Sequence, residues 1–367
     1  QHTAGSGHLA VFALDAFEGR ANGFIAHARH RRRVYVADRE LPVIGTGICR
    51  WLAVILHRQC QIAAGDVRSF RYFDQDLVIY RADDGGAHAV EAYCPHLGAH
   101  LGEGGCVVDD TLRCPFHGWR FGPDGRCVEV PYSSRLPRVG VRSWPVCERG
   151  GLLFLWHDAD GGAPSWELPA FEGDDYTERR EADWIIRTHP QELMENTADI
   201  AHFGFLHGAR NHRYLRDWHG DGPLADTKIG FEASGAALGA PVQWIDLEIE
   251  FALYGLGYLV IDSHVPDAGV DGRIRVCATP VDGDRVRVFF MSNVRRMADP
   301  AFTGMVDQLF HEAALADFKQ DLKIWQHKIY RPRPVVVPGD GPILAYRQWA
   351  SQFYEPQIGS ASCRERV

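Results

Sequence analysis

The sequence predicts an α+β protein in two parts, a small antiparallel β domain followed by a larger antiparallel sheet with helices. Two observations lead to this prediction. Up to about residue 160, short apolar segments are separated by turns rich in Gly and Pro, which is typical of small antiparallel β domains. Beyond that point, longer segments alternate apolar and polar residues, and a segment with apolar residues at helical spacing follows them.

The first domain is expected to cover residues 45–160 and to consist of short strands. Gly161-Gly162-Ala163-Pro164 predicts a linker at its end, because Gly and Pro interrupt regular structure. Residues 1–44 are expected to be a poorly structured extension. The predicted strands run from Ile48 to Leu56, Phe70 to Phe73, Leu77 to Tyr80, Ala89 to Tyr93 and Gly151 to Trp156.

The second domain is expected to cover residues 161–355, and residues 356–367 are expected to be a tail without a core pattern. Apolar residues recur at helical spacing from Thr303 to His327, which predicts a long helix lying across a sheet. Alternation with period two predicts the strands of that sheet, each with one buried face, over Val242 to Phe251, Arg273 to Cys277 and Arg285 to Met291.

The composition, with 46% hydrophobic and 24% charged residues, is that of an ordinary globular protein. A net charge of −9 and the lack of a long basic stripe argue against a nucleic-acid partner. Nine cysteines, an odd number in a long chain, predict free thiols rather than a disulfide framework. Free thiols indicate a reducing compartment, so a cytoplasmic location is expected.

Two loops, Cys94-Pro95-His96 and Cys114-Pro115-Phe116-His117, each combine one Cys with one His. Such a set fits a tetrahedral zinc, or a Rieske [2Fe–2S] cluster with two Cys on one iron and two His on the other. Zinc motifs usually pair Cys with Cys and His with His at short spacing. The mixed loops therefore favour the cluster, whose predicted ligands are Cys94, His96, Cys114 and His117.

A second motif places His202 and His207 five residues apart. Two His and one carboxylate form the facial triad of non-haem Fe(II) oxygenases. On an ideal helix, five residues turn the side chain by about 140°, so both His can face one metal only if the helix is interrupted. Gly204 and Gly208 make an irregular turn or a π-bulge between them the expected solution.

With these motifs the chain resembles the catalytic subunit of Rieske non-haem iron oxygenases, over roughly residues 45–355. The resemblance implies that a carboxylate of the late helix is the third iron ligand, Asp321 or, as the alternative, Asp317. It also implies that Asp199 bridges a cluster His and an iron His of neighbouring subunits. Asn196 is expected to support the iron ligands.

Three further residues flank the cluster loops, and one flanks the iron motif. Tyr93, Leu97 and Trp119 are expected to shield the cluster, although core packing explains Trp119 equally well. Glu195 is expected either to support the iron ligands or to be an ordinary surface residue.

The resemblance implies two cofactors, a Rieske [2Fe–2S] cluster and a mononuclear Fe(II), and an oxidoreductase activity that uses O2. No G-x-G-x-x-G segment lies between a predicted strand and a predicted helix, so a separate flavin and iron–sulfur reductase is the expected electron donor. The bridge between subunits implies a closed ring, most often a homotrimer.

Within the family, the greatest similarity is to the oxygenase component of 3-ketosteroid 9α-hydroxylase, a multicomponent monooxygenase. The similar stretches are Gly65 to Arg68, Tyr93 to Gly102, Val141 to Val146 and Trp349 to Tyr354. They imply hydroxylation of a steroid. The alternatives are sterol 7-desaturation, and oxygenation or O-demethylation of a smaller aromatic substrate. A Rieske electron carrier and a lipid-binding module without chemistry are alternatives from other classes, which metal analysis would distinguish.

A steroid needs a long apolar pocket with a few polar groups. Gly255 and Gly257 leave space within an apolar run, so they are expected to open this pocket toward the iron. The residues available to line it are Trp244, Leu247, Ile249, Phe251, Leu253, Tyr254, Val288 and Phe290.

Overall fold

The computed structural model describes residues 35–36, 39–40, 50–53, 62–158, 161–168, 175–236 and 242–354. The chain divides into two compact units, residues 1–40 and residues 41–367. In the first unit, Tyr35–Val36 (β1) and Arg39–Glu40 (β2) pair as antiparallel strands. The rest of the predicted extension, the predicted tail at residues 356–367, and Cys49, Cys60 and Cys363 lie outside the described residues.

Three small antiparallel sheets make up the N-terminal part of the second unit, and they confirm the predicted class for this part of the chain. Their strand orders are β11-β6-β5-β4, β10-β9-β8-β7 and β12-β13-β3. The strands are Arg50–Ala53 (β3), Val67–Tyr72 (β4), Gln75–Arg81 (β5), Ala87–Glu91 (β6), Cys106–Val108 (β7), Thr111–Arg113 (β8), Arg120–Phe121 (β9), Cys127–Glu129 (β10), Ser143–Trp144 (β11), Val146–Arg149 (β12) and Leu152–His157 (β13).

A seven-stranded antiparallel sheet follows, with the order β14-β20-β19-β18-β17-β16-β15. Its strands are Arg180–Arg187 (β14), Arg210–Asp221 (β15), Leu224–Ser234 (β16), Trp244–Tyr254 (β17), Tyr258–Val265 (β18), Val270–Pro280 (β19) and Arg285–Val294 (β20). The three predicted strands correspond to β17, β19 and β20. The prediction missed β14 and β15, which are the two edges of the sheet and therefore lack a clear buried alternation. It also missed β18, and it missed β16, although Ala225, Thr227 and Ile229 alternate there with more exposed residues.

Four α-helices and two short 3-10 helices complete the described structure. The α-helices are Pro190–Met194 (α1), Ala201–Phe205 (α2), Pro300–Trp325 (α3) and Ile343–Ala350 (α4), and the 3-10 helices are Glu195–Thr197 and Ser351–Phe353. The predicted long helix is α3. Asp299 caps its N-terminus, because the Asp299 carboxylate accepts hydrogen bonds from the backbone N–H groups of Ala301 and Phe302. It packs on the sheet through Phe318, whose ring centroid lies 5.0 Å from that of Phe290 in β20. In the described part of the chain, no helix has both the length and the apolar character that crossing a membrane requires.

The N-terminal sheets and the seven-stranded sheet share a core. Phe154 and Trp156 of β13 are buried together with Tyr258, Phe289 and Met291 of the large sheet. The Phe154 and Tyr258 rings meet edge to face, with centroids 5.1 Å apart. This shared core fixes the N-terminal sheets against the large sheet, while the domain boundary near residue 160 stays a prediction.

The expectation for Gly255 and Gly257 is wrong. Both lie in the tight turn that joins β17 to β18, where Gly255 has a φ of +63° and donates its N–H to the carbonyl of Pro223. A positive φ at this turn favours glycine. The two glycines therefore reverse the chain at the end of a hairpin, and neither lines the cavity described below.

Candidate metal centres and substrate cavity

The two Cys/His loops have the same backbone hydrogen bonds. The N–H of Gly98 donates to the carbonyl of Cys94, and the N–H of Gly118 donates to that of Cys114, at 2.9 and 3.1 Å. Each Cys N–H donates to a carbonyl five residues later. Both glycines have a positive φ, 76° and 73°, which explains the Gly at the fifth position of each loop.

The loops bury their thiols and leave their imidazoles near the surface. Cys94 and Cys114 are 2% and 3% exposed, whereas His96 and His117 are half-buried. The two imidazole centroids lie 4.7 Å apart. Burial raises the pKa of the Cys94 thiol to about 11, to which the neighbouring Cys114 contributes. A metal that holds these sulfurs as thiolates would offset this cost.

The arrangement of the four predicted ligands disfavours a single zinc. In the described part of the chain, only His202, His207 and Asp321 bring three candidate ligand atoms within 4.8 Å of one another. One tetrahedral ion would need the Cys/His atoms to converge in the same way. Two sulfurs on the inside and two nitrogens on the outside instead fit a two-iron cluster, with one pair of ligands on each iron.

The residues that flank the loops occupy different environments. Trp119 stacks on His96, with centroids 4.6 Å apart and an interplanar angle of 8°, and donates from Nε1 to the hydroxyl of Tyr132. Trp119 therefore contacts a predicted ligand directly. Tyr93 donates to Asp76, whereas Leu97 is 65% exposed at the tip of its loop. Leu97 thus presents an apolar surface outward instead of covering the loops from within.

His202, His207 and Asp321 form the second candidate centre. The Nε2 atom of His207 lies 3.4 Å from Oδ2 of Asp321, and the imidazole centroids of His202 and His207 are 5.3 Å apart. Burial alone lowers the pKa of His207, but the Asp321 carboxylate outweighs this effect and raises it. Two nitrogens and one carboxylate oxygen are the ligand set of a mononuclear iron with open positions.

The two His side chains converge because α2 ends between them. The helix covers Ala201–Phe205, and the chain turns at Gly208, which has a φ of +69°. His202 is thus on the helix, and His207 is in the turn after it. The expected interruption is present, but it is a helix end followed by a left-handed glycine and not a π-bulge.

Asp199 holds His202 in place through its backbone and its side chain. The Nδ1–H of His202 donates to the carbonyl of Asp199 at 2.6 Å, which leaves Nε2 free to bind a metal. The backbone N–H of His202 donates to the Asp199 carboxylate at 3.2 Å. Burial would raise the pKa of Asp199, but the hydrogen bonds from His202 outweigh it and lower the pKa. The Asp199 side chain is 34% exposed, so it is accessible from outside the chain.

Asn196 and Asp317 each lie beside one of the three candidate ligands. Asn196 donates from Nδ2 to Oδ1 of Asp321 at 2.9 Å and accepts a hydrogen bond from Trp325 Nε1 at 3.4 Å. Asp317, the alternative ligand, has its nearest oxygen 3.8 Å from Nδ1 of His207. This geometry favours Asp321 over Asp317 as the carboxylate that shares a metal with both His.

Glu195 is neither a surface residue nor a contact of the three candidate ligands. It is 7% exposed, and its two carboxylate oxygens accept hydrogen bonds from the Arg347 guanidinium at 2.5 and 2.9 Å. Lys328 lies 3.6 Å away. This buried ion pair connects the segment before His202 to α4. Glu195 therefore stabilises the fold around the candidate site.

A cavity of about 730 Å³ lies between α3 and the seven-stranded sheet. His202, His207 and Asp321 line one part of it, and most of the remaining wall is apolar. Its α3 wall runs from Phe302 to Trp325, and the part from Phe302 to Asp321 alone is roughly 28 Å long at about 1.5 Å per residue. Of the predicted lining residues, the cavity wall contains Leu247, Ile249, Phe251 and Phe290, but not Trp244, Leu253, Tyr254 or Val288.

Comparison with protein families gives two matches along the chain. The family described as "Rieske [2Fe-2S] domain" matches residues 50–145. The family described as "3-Ketosteroid 9alpha-hydroxylase C-terminal domain" matches residues 155–354, which is more than half of the chain.

Named relatives agree with these matches, and a solved structure has the same fold. A cholesterol 7-desaturase of Xenopus laevis is 31% identical over 93% of this chain and 78% of its own length. The oxygenase component of a 3-ketosteroid-9-alpha-monooxygenase of Rhodococcus rhodochrous is 28% identical over 79% of this chain and 80% of its own length. The crystal structure of dicamba monooxygenase bound to dicamba superposes with a TM-score of 0.65 at 20% identity, covering 83% of this chain and 96% of that one.

Proposed function

This chain belongs to the Rieske oxygenases that have a 3-ketosteroid 9α-hydroxylase C-terminal domain, and from that premise we propose that it hydroxylates a steroid. Membership in this family makes the chain an oxidoreductase with a Rieske [2Fe–2S] cluster and a mononuclear iron. The proposed reaction is the O2-dependent 9α-hydroxylation of a 3-ketosteroid, with the chain as the terminal oxygenase of a multicomponent monooxygenase.

The observation that carries the steroid proposal is the apolar cavity beside His202, His207 and Asp321. Its volume of about 730 Å³ suits a large, rigid, apolar molecule. A small aromatic acid such as dicamba would leave much of this space empty. Its carboxylate would also need a cationic partner, and no Arg or Lys occurs among the described residues that line the cavity.

Sterol 7-desaturation is the second candidate, because the 31% identical relative has that name. Both reactions begin at a C–H bond of a fused-ring substrate held beside the iron. Both also need the same contributions from the chain, namely orientation of the substrate and exclusion of water. The two candidates differ in the carbon attacked and in the fate of the substrate after the first bond is broken.

Specific residues of this chain would hold the two cofactors and position the substrate. We assign Cys94, His96, Cys114 and His117 to the cluster, and His202, His207 and Asp321 to the iron. When bound, the cluster supplies single electrons and the iron supplies O2 activation. Asn196 fixes the orientation of the Asp321 carboxylate, and Asp199 fixes the tautomer of His202.

Two surfaces support a ring of subunits in which the cluster of one chain serves the iron of the next. Leu97 and Phe116 at the tips of the cluster loops are 65% and 61% exposed. Phe205, which lies between His202 and His207 in the sequence, is 96% exposed, and Val335 is 94% exposed. Where exposed apolar side chains form one patch they mark an association surface, and we propose that these do so. Contact between the two surfaces would bring His96 or His117 toward the partner's Asp199. Because the two surfaces differ, the same contact repeats head to tail from chain to chain until a ring closes. The proposed ring is a trimer.

Turnover assays with a surrogate flavin and iron–sulfur reductase test the proposed reaction. The substrates are a 3-ketosteroid, cholesterol and a small aromatic acid, and products are identified by mass spectrometry. The 3-ketosteroid should gain one oxygen atom. Loss of two hydrogens from cholesterol would favour desaturation. Turnover of the aromatic acid alone would overturn the steroid proposal.

A further inference from the structure

Ser263 is a buried hydroxyl group in an otherwise apolar stretch of the cavity wall. On β18, the side chains that face the cavity are Leu259, Ile261, Ser263 and Val265. Ser263 is 6% exposed, and its hydroxyl makes no hydrogen bond with any other described residue. An unpartnered hydroxyl in an apolar wall is costly unless something outside the chain completes its hydrogen bonds.

The neighbours of Ser263 show how far it lies from the iron motif. Ser263 pairs with Gly272 of β19, and the ring of Phe310 packs directly on that glycine, where a Cβ would meet it at 2.4 Å. Phe310 therefore marks the position of Ser263 along α3. Asp321 lies 11 residues later on the same helix, which is roughly 16 Å along its axis. The hydroxyl and the candidate iron site are therefore well separated along one apolar cavity.

We propose that Ser263 is a specificity-determining residue that hydrogen-bonds the oxygen on ring A of a steroid. This inference rests on the proposed steroid function. A ketone can only accept a hydrogen bond, and an alcohol can accept or donate, so a serine hydroxyl serves both a 3-ketosteroid and a 3-hydroxysterol. One fixed end and a rigid ring system then decide which carbon faces His202, His207 and Asp321.

The cavity contains a second serine that serves as a matched control. Ser234 lies at the end of β16 and is half-buried, so it is more open to water than Ser263, which is 6% exposed. Ile261, two residues before Ser263 on the same face, controls for a change of cavity volume without loss of a polar group. Ser263→Thr keeps the hydroxyl and tests whether it is the group that matters.

The test is equilibrium binding to the fully loaded, anaerobic protein, measured by calorimetry. The ligands are a 3-ketosteroid, its 3-deoxo analogue and a 3-hydroxysterol. Wild type should bind either oxygenated ligand roughly fivefold to tenfold more tightly than the deoxo analogue. Ser263→Ala should remove that preference, whereas Ser263→Thr, Ser234→Ala and Ile261→Val should keep it. Cluster absorption establishes that each variant is folded.

The outcomes separate the two proposals. If wild type binds all three steroids with the same affinity, or if Ser263→Ala keeps the preference, the role of Ser263 is overturned while steroid binding stands. A preference lost for only one oxygenated ligand supports the contact and identifies whether a ketone or an alcohol is recognised. If wild type binds no steroid, the proposed function fails and the role of Ser263 fails with it.

Discussion

Asn196 donates a hydrogen bond of 2.9 Å to the Asp321 carboxylate, across 125 residues of sequence. The same amide accepts a hydrogen bond from Trp325, one turn further along α3. The Trp325 hydrogen bond therefore fixes the Asn196 amide, and the amide in turn fixes the Asp321 carboxylate. Partners of this kind orient a metal-binding carboxylate and commonly matter nearly as much as the ligand itself.

Asn196→Ala should weaken binding of the mononuclear iron by roughly 10–100-fold, because the Asp321 carboxylate loses its orientation. Iron titration followed by metal analysis measures this change, and the cluster absorption should be unaffected. Asn211→Ala is the matched control, since the Asn211 side chain donates to Glu232 on the exposed edge of the sheet. Equal iron affinity in both variants would remove Asn196 from the site.

Cys114→Ser should abolish the visible absorption and the EPR signal of the cluster and leave the mononuclear iron in place. A serine hydroxyl is a poor substitute for a thiolate on iron. Cys127→Ser is the control, because Cys127 is also buried but lies outside the two loops. A colourless wild-type protein that contains zinc would contradict the cluster assignment.

Asp199→Asn should retain both metal centres while steady-state turnover falls by roughly 100-fold. The expected reason is that the carboxylate, held ionised by His202, links the two centres without binding either metal. Metal content and product formation are measured on the same preparation. Asp217→Asn, at an exposed position on β15, controls for the loss of a charge. Wild-type turnover in Asp199→Asn would exclude the bridge.

Arg347→Ala should lower the free energy of unfolding by about 3–5 kcal/mol, because it leaves the buried Glu195 carboxylate without its main partner. Urea denaturation measures the change. The control is Arg216→Ala, whose ion pairs with Asp226 and Glu250 are half-exposed and should contribute no more than about 1 kcal/mol. Similar values for the two variants would mean that the Glu195 pair is not effectively buried.

Mixing two inactive variants tests the proposed ring. Cys114→Ser chains lack the cluster, and Asp321→Ala chains lack an iron ligand, so each alone should be inactive. Co-assembled chains should recover part of the activity, because an intact cluster then meets an intact iron site across an interface. Phe205→Asp should dissociate the assembly, as measured by analytical ultracentrifugation. A fully active monomer would contradict the ring.

The sequence by itself determined the class of the protein and its two candidate metal-binding motifs. The spacing of Cys94, His96, Cys114 and His117 is a local property of two loops, so it can be recognised without tertiary structure. The same is true of the alternation in β17, β19 and β20 and of the helical spacing in α3, because each reports which face of a single element is buried. The edge strands β14 and β15 escaped prediction because only one neighbour covers them.

Only the tertiary structure decided which distant residues meet. Gly255 and Gly257 lie in an apolar run, but they reverse a hairpin, while Ser263 on the next strand faces the cavity. From the sequence, Glu195 could equally be a surface residue, and the structure shows that it pairs with Arg347 of α4. Local periodicity shows which face of one helix or strand is buried. Which residue of another helix or strand it contacts depends on how these elements pack together. That packing joins Asn196 to Asp321 and leaves the hydroxyl of Ser263 without a partner in the described chain.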